Sequence, residues 1–163
     1  MKKTEIFREI TPLTSENCFI LIDRTKSEFN YPVHVHPEFE LNYVQGAPGA
    51  QRIIGDSIEV IDELDLVLVT NPDLEHAWFN HECRSKCIRE ITIQFHPDLL
   101  DSKLLNRTQF KPIEKIFEIA QKGLAFPRST IEAVRPRLEN LCNTKGFYSF
   151  LEFREVLYRL SIS

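Results

Sequence analysis

The sequence predicts a mainly β fold with an α-helical part, in which a small antiparallel β-barrel is followed by a C-terminal helical segment. Up to Phe95, short runs rich in β-branched and aromatic residues alternate with turn signals such as Gly55-Asp56. Beyond Pro97, apolar residues instead recur at helical spacing. The length of 163 residues suits one domain. We therefore expect a barrel over residues 1–96 and a helical extension of the same domain over residues 97–163.

The predicted barrel consists of short strands bounded by turns. They are Cys18–Asp23, Val33–Val44, Gln51–Ile54, Ser57–Ile61, Leu66–Thr70, His76–Asn80 and Cys87–Phe95. Strands of this length at this regular spacing are typical of sandwiches and barrels. Pro37 interrupts the second strand, and because proline lacks an amide donor we expect a bulge or a sheet edge there.

Three helical segments are predicted after the barrel. The first ends near Gly123, the second begins at a capping box over Ser129–Glu132, and the third covers Phe147–Leu160. Pro136 should kink the second helix or move its start. Four apolar residues of that helix at 3-4-3 spacing form either a dimer seam or the face that lies on the barrel: Ile131, Val134, Leu138 and Leu141.

Two polar groups stand out in the predicted strands. Side chains alternate between the faces of a strand, so one face of the second strand carries His34, His36, Glu38, Glu40 and Asn42. Val33, Val35, Phe39, Leu41 and Tyr43 fall on its apolar back. After the Asn71-Pro-Asp turn, the same alternation groups His76, Trp78 and Asn80. The polar faces require water or a ligand, and the apolar back requires a cover.

The order of these groups resembles the two motifs of the cupin superfamily: His-x-His-x3-Glu, then a proline-containing turn and His-x3-Asn. In cupins the two histidines and the glutamate of the first motif and the histidine of the second converge inside a small antiparallel barrel, a jelly roll. Here those positions are His34, His36, Glu40 and His76. The resemblance implies either a site for a divalent metal such as Zn, Ni, Mn or Fe, or a hydrogen-bonded pocket without metal.

The order of segments is also similar to the N-terminal regulatory domain of AraC-type (arabinose-regulator-like) transcription factors, from about Pro32 to the end of the chain. The segments are HVHPEFELNYV, IIGDSIEVIDELDLVLVTNPDLEHAW, ITIQFHPDLL and IFEIAQKGLAF. This resemblance implies a homodimer that contacts DNA through a C-terminal helix-turn-helix domain, which is absent from this chain. It also implies a small effector, such as a sugar-like molecule, bound inside the barrel by His34, His36, Glu38, Glu40, His76, Trp78 and Asn80.

The residues leave two other classes of protein open. One is a metal-dependent cupin enzyme, a dioxygenase or isomerase, because a 2-His-1-carboxylate set with open coordination positions suits oxygen chemistry. The other is a cupin with a structural role in assembly. The long apolar helical extension favours the regulator, so we expect a sensor domain and no enzyme.

Composition argues against DNA binding by this segment itself. Lys and Arg number 20 against 24 Asp and Glu, giving a net charge of −4, and the basic residues are scattered. A DNA-binding face usually supplies about 6–10 phosphate contacts from a basic patch. The sequence has neither a signal-peptide pattern nor an apolar run of membrane-spanning length, and its four cysteines do not form a secreted disulfide pattern. We therefore expect a cytoplasmic protein without membrane contact.

Two features have a plain interpretation beside a functional one. Trp78 could stack on a sugar or other ring, or could belong to the barrel core. His81-x-Cys83-x3-Cys87 supplies only three ligands at unusual spacing, so incidental thiols in a loop are the expected interpretation rather than a second metal site.

Overall fold

The computed structural model describes residues 5–163 and contains two five-stranded sheets. The strands are β1 (Phe7–Arg8), β2 (Phe19–Lys26), β3 (His34–Val35), β4 (Phe39–Gln45), β5 (Gln51–Ile54), β6 (Ser57–Val60), β7 (Leu64–Val69), β8 (His76–Phe79), β9 (Ile88–Phe95) and β10 (Leu124–Ala125). The first sheet has the order β1-β3-β8-β5-β6, and the second has the order β10-β7-β4-β9-β2. All pairs except β1–β3 are antiparallel. The first four residues of the predicted barrel unit lie outside the described residues.

Four α-helices follow the strands of the barrel. They are α1 (Ser102–Leu105), α2 (Lys111–Ile119), α3 (Arg128–Asn143) and α4 (Gly146–Ser161), with 3₁₀ turns at Thr108–Phe110 and Ala120–Lys122. Helices α2 and α3 both pack against α4, and α3 also contacts β7. Over residues 5–163, no helix combines the length and the apolar character that crossing a bilayer requires.

Pro37 lies where the chain passes from one sheet to the other. The predicted strand Val33–Val44 is divided into β3 in the first sheet and β4 in the second. The strand is therefore interrupted at Pro37, as expected, because proline has no amide hydrogen to donate to a neighbouring strand. The register then sets His34 opposite His76 across β3 and β8, and Glu40 opposite Gln94 across β4 and β9.

The outer face of the second sheet forms the main hydrophobic core together with the helices. Leu41 and Tyr43 of β4 and Ile91, Ile93 and Phe95 of β9 are at most 1% exposed and belong to this cluster. Burying side chains of this size contributes about 1.5–3 kcal/mol each. The apolar back of the first motif therefore has the cover that the sequence required.

The inner face of the same strands changes character along the barrel. At one end Val44, Val67 and Ile88 pack in a second apolar cluster with Trp78. One step along β4, Asn42 and Glu40 replace apolar residues, and both are buried. The barrel is thus filled by apolar side chains at one end and lined by polar groups at the other.

Several local predictions need correction. Helix α3 begins at Arg128 after Pro127, with no side-chain cap, so the capping box predicted at Ser129 is not formed. An ion pair of 2.8 Å between Arg128 and Glu132 spans the first turn instead. Pro136 lies inside this helix and does not move its start, so the kink stays a prediction. Two short strands were not predicted: β1 and β10, which pairs with β7 from within the helical segment.

The predicted dimer seam lies inside the chain's own core. Ile131, Val134, Leu138 and Leu141 are at most 2% exposed and belong to the main hydrophobic cluster. Side chains that are already covered within one chain offer no surface to a second chain. The assignment of these four residues to a dimer interface is therefore corrected, and their stripe is the face that α3 turns to the core.

Candidate functional site

The four residues of the cupin-like motifs converge at the polar end of the barrel. His34 comes from β3, His36 from the connection after it, Glu40 from β4 and His76 from β8. One ligand-capable atom from each residue lies within 4.8 Å of the corresponding atoms of the others, and all four residues are buried. Residues from both sheets thus meet in one cluster, as the spacing of the motifs predicted.

Backbone carbonyl groups orient all three imidazole rings in the same way. The Nδ1 atoms of His34, His36 and His76 lie 2.8, 3.0 and 2.9 Å from the carbonyl oxygens of Pro32, Glu38 and Leu74. A carbonyl oxygen accepts, so each Nδ1 carries a hydrogen and donates. Each Nε2 therefore faces the cluster, the arrangement that orients metal-binding histidines in proteins.

Glu40 is the anionic centre of the cluster. Its Oε2 atom accepts hydrogen bonds from His36 Nε2 at 2.9 Å and from Gln94 Nε2 at 3.1 Å. Burial alone would raise the pKa of Glu40, but the hydrogen bond from His36 and the neighbouring imidazoles lower it to about 2. Both nitrogens of His36 face acceptors, so this ring is held as an imidazolium. Burial lowers the pKa of His36, yet its bond to Glu40 outweighs burial and the pKa lies above the ordinary value.

His76 has the opposite electrostatic character. Its ring is 1% exposed, and burial is the main cause that lowers its pKa. Because Nδ1 carries the hydrogen, Nε2 presents a lone pair, and no donor reaches it among residues 5–163. The Oε1 atom of Glu40 lies 3.9 Å from this nitrogen and is also an acceptor. His76 thus offers a buried lone pair without a partner.

The cluster fits a divalent metal ion in its donor chemistry. Imidazole nitrogen binds zinc at about 2.0–2.1 Å and carboxylate oxygen at about 2.0–2.2 Å. Atoms bound to one ion then lie at most about 4.2 Å apart, so a cluster spanning 4.8 Å must close in by under about 1 Å. The partnerless Nε2 of His76 is consistent with such an ion. His34, His36, Glu40 and His76 would hold it.

A polar cavity of about 260 Å³ opens beside the cluster. Its wall includes Glu40 and Asn42 of β4, Thr92 and Gln94 of β9, and Trp78 of β8. Arg24, Lys26 and Tyr31 lie on another side. Ligand pockets commonly measure about 300–1,000 Å³, so the space suits a small molecule.

Two amide oxygens of the cavity wall lack donors. The Nδ2 atom of Asn42 donates to Thr92 Oγ1 at 3.2 Å and to Glu40 at 3.4 Å, which leaves Oδ1 as an acceptor. Gln94 likewise donates from Nε2 to Glu40, which leaves its Oε1 as an acceptor. Both remaining oxygens are buried and without a donor among the described residues. His36 and His76, which were predicted to face the cavity, belong to the adjoining cluster and are not among the residues that line it.

The other predicted binding residues have different positions. Trp78 forms part of the cavity wall and also of the apolar cluster, and its Nε1 donates to Asp65 at 3.1 Å. Asn80 does not line the cavity but accepts from the Phe29 amide at 2.8 Å and so holds the loop that does. Glu38 lies on the Nδ1 side of His36, with a carboxylate oxygen 3.7 Å away, rather than in the cavity. The expectation that Glu38 and Asn80 contact a ligand in the cavity directly is therefore corrected.

Several site residues lie outside the motifs. Gln94 and Thr92 face inward from β9, and Glu9 reaches the cluster from the segment after β1. Side chains alternate between the two faces of the strand Ile88–Phe95, and this pattern could have identified Gln94 and Thr92. Glu9 has no such signal, since it stands 25 positions before His34 in a segment without periodicity. His81, Cys83 and Cys87 form no cluster over residues 5–163, and all four cysteines are free thiols.

Comparisons with known proteins support the fold. The crystal structure of an apo ToxT variant from Vibrio cholerae strain SCE256 matches 87% of this chain with a TM-score of 0.57 at 9% identity. ToxT is an AraC-family regulator with a cupin-like N-terminal domain. The predicted fold is confirmed. The match covers 54% of that ToxT chain, so this chain spans about half the length of the protein it resembles.

A second ToxT structure, at 1.65 Å resolution, covers 75% of this chain and 48% of its own, with 11% identity and a TM-score of 0.47. No protein-family model and no curated protein matches the chain. At such low identity the likeness to ToxT concerns the fold, and function has to be argued from the site.

Proposed function

We propose that this chain is the effector-sensing domain of an AraC-type transcription regulator, with the effector bound in the polar cavity of the barrel. The observation that carries the proposal is the pair of buried amide acceptors on the cavity wall without donors: Asn42 Oδ1 and Gln94 Oε1. Each such group costs about 1–3 kcal/mol when left unsatisfied. A ligand that supplies hydrogen-bond donors removes this cost. The fold shared with ToxT supports the regulator class.

The cavity favours a small, hydroxyl-rich effector. Two amide acceptors on the wall require donors, while Arg24 and Lys26 on the wall supply donors in return. Hydroxyl groups both donate and accept, so a sugar-like molecule or a related polyol satisfies both sets. Trp78 adds an apolar wall on which a ring can lie.

The cluster of His34, His36, Glu40 and His76 holds a divalent ion in this proposal: Zn, Ni, Mn or Fe. A bound ion would act as a Lewis acid that fixes an oxygen of the effector. The carbonyl groups that hold each Nδ1 keep the Nε2 atoms pointed at the interior.

In this proposal, strands β4 and β9 transmit effector binding to the helices, because one face of these strands lines the cavity and the other packs in the core. Glu40, Asn42, Thr92 and Gln94 face the cavity, while Leu41 and Tyr43 on the opposite face pack in the core that contains the helices. A ligand that binds one arrangement of these strands better than another also favours one position of α3 and α4. DNA contact by a further domain, and homodimer formation, belong to the same proposal.

A metal-dependent cupin enzyme is the second candidate, because the cluster of three histidines and one glutamate lies beside a cavity that could admit a substrate. The two candidates differ in what happens to the small molecule. An enzyme converts it, and a sensor releases it unchanged.

Thermal unfolding in the presence of pentoses, hexoses, polyols and an apolar alcohol such as hexanol tests the proposal. A compound that binds the folded chain raises the midpoint temperature. We expect at least one hydroxyl-rich compound to do so, and to be recovered unchanged by mass spectrometry. Asn42→Leu should weaken its binding about tenfold, because it deletes one acceptor. The control Asn140→Leu, on the exposed side of α3, should not.

Three results would count against the sensor. No shift with any polyhydroxyl compound rejects the proposed effector class. Equal binding by Asn42→Leu and wild type rejects the cavity as its site. Conversion of the compound by the metal-loaded protein favours the enzyme.

A further inference from the structure

We propose that Glu9 is a fifth ligand of the metal site, supplied by the N-terminal segment from outside both motifs. This inference rests on the metal part of the proposed function. The Oε2 atom of Glu9 lies 3.9 Å from His34 Nε2 and 3.8 Å from His36 Nε2. Both distances are below the roughly 4.2 Å that separates two ligands on opposite sides of one ion. Glu9 is not one of the four residues whose ligand atoms all lie within 4.8 Å of one another, so its side chain would have to move inward to join them at one ion.

Two hydrogen bonds position this carboxylate. The Glu9 amide donates to the Val35 carbonyl at 2.9 Å, which fixes its backbone between the two histidines of the first motif. Tyr31 donates its hydroxyl to Glu9 Oε1 at 3.1 Å. The bond occupies Oε1 and leaves Oε2 directed at the cluster.

Gln94 links the two acidic groups of the site. Its Nε2 donates to Glu40 Oε2 at 3.1 Å and to Glu9 Oε2 at 3.3 Å. One amide thus bridges two carboxylates that would otherwise repel each other across a few ångströms. His36 gives up its Nε2 hydrogen when that nitrogen binds an ion. A divalent ion would then neutralise both carboxylates.

The ligand set that results is three imidazole nitrogens and two carboxylate oxygens. Closed zinc sites are almost always four-coordinate, whereas carboxylate oxygens suit harder ions such as Mn. A second carboxylate therefore shifts the preference of the site from Zn toward Mn. Without Glu9, the site has the three-histidine, one-glutamate set of the motifs alone.

Calorimetric titration of metal-free protein with ZnCl₂ and with MnCl₂ tests the inference. Glu9→Gln keeps the shape of the side chain and an acceptor for Tyr31 but removes the anionic ligand. We expect it to weaken binding of both ions at least tenfold, since losing even an outer-shell partner costs 10–100-fold. The loss should be larger for Mn(II). The midpoint of urea unfolding of the metal-free protein should not change.

Two controls separate a ligand from a structural group. Glu5→Gln alters an exposed carboxylate of the same segment and should bind both ions like wild type. Tyr31→Phe removes only the bond to Oε1 and should cost less affinity than Glu9→Gln. Wild-type affinity in Glu9→Gln overturns the inference, and so does an equal loss in Tyr31→Phe. Wild-type protein that takes up neither ion overturns it together with the metal site, while the effector proposal stands or falls by the separate titration with hydroxyl-rich compounds.

Discussion

His36 and His76 show how two chemically identical side chains receive different charges in one cluster. Each donates Nδ1–H to a backbone carbonyl, but only His36 has a carboxylate within hydrogen-bond distance of Nε2. Burial dominates at His76 and lowers its pKa, whereas the bond to Glu40 raises the pKa of His36 in spite of burial. The metal-free cluster therefore contains one tight ion pair and one neutral acceptor.

This ion pair predicts a pH-dependent contribution to stability. The pKa of Glu40 falls from 4.5 to about 2, so its contribution is present above about pH 4.5 and is lost as the pH falls toward 2. The pKa of His36 lies above 6.5, so its contribution is present below pH 6.5 and is lost as the pH rises through the raised pKa. We expect Glu40→Gln to lower the free energy of unfolding by about 3 kcal/mol near pH 6. At pH 3 the loss should be less than about half of that.

Urea unfolding of metal-free protein with EDTA at pH 3, 6 and 9 measures this difference. Glu118→Gln is the control, since Glu118 is exposed on α2. A stability difference between wild type and Glu40→Gln that does not change between pH 3 and pH 6 would contradict the assigned ion pair.

At the same scale, the sequence predicts the part of the site that strand alternation determines. Alternation groups His34, His36, Glu40 and Asn42, and it separates them from Leu41. It fails at Glu38, which lies in the connection between β3 and β4. The approach of Glu9 depends on the tertiary pairing of β1 with β3, which no local pattern encodes.

At the scale of elements, the strands were predicted well and the helix starts less well. Alternating apolar residues and turn signals located β5 without error and β8 and β9 to within one residue at either end. The capping box does not form because the N-cap is the extended residue Pro127, two residues before Ser129, and Glu132 pairs with Arg128 instead. The 3-4-3 stripe of α3 was recognised correctly as apolar, but whether its cover is the same chain or a second one depends on packing.

A substitution in helix α3 tests whether its apolar stripe is covered by the same chain or by a second chain. Leu138 is 0% exposed within a single chain. Leu138→Ala should therefore lower the free energy of unfolding of the monomer by about 2–5 kcal/mol, because it leaves a cavity in the core. Leu104→Ala, at a position 38% exposed on α1, should cost well under that. Urea unfolding monitored by circular dichroism measures both.

If Leu138 instead served a dimer seam, the result would differ. Leu138→Ala would keep the stability of the isolated chain and lower its sedimentation coefficient. That outcome would contradict the packing of α3 described above.

At the scale of the molecule, the second sheet separates a polar interior from an apolar layer of helices. The same strands contact both, so β4 and β9 are the physical route by which an occupant of the cavity can affect α3 and α4. Homodimer formation stays a prediction. Exposed aromatic residues on α4, Phe147 at 70% and Tyr148 at 74%, leave apolar area on the helical side of the molecule.

Hydrogen–deuterium exchange with and without the hydroxyl-rich compound that raises the unfolding temperature most is the most direct test of a sensor with an internal site. We expect slower exchange in β3, β4, β8 and β9, which line the cavity, and a change in α3 or α4, which lie behind them. Slower exchange confined to the outer surface of the helices, with the four strands unchanged, would contradict an internal effector site.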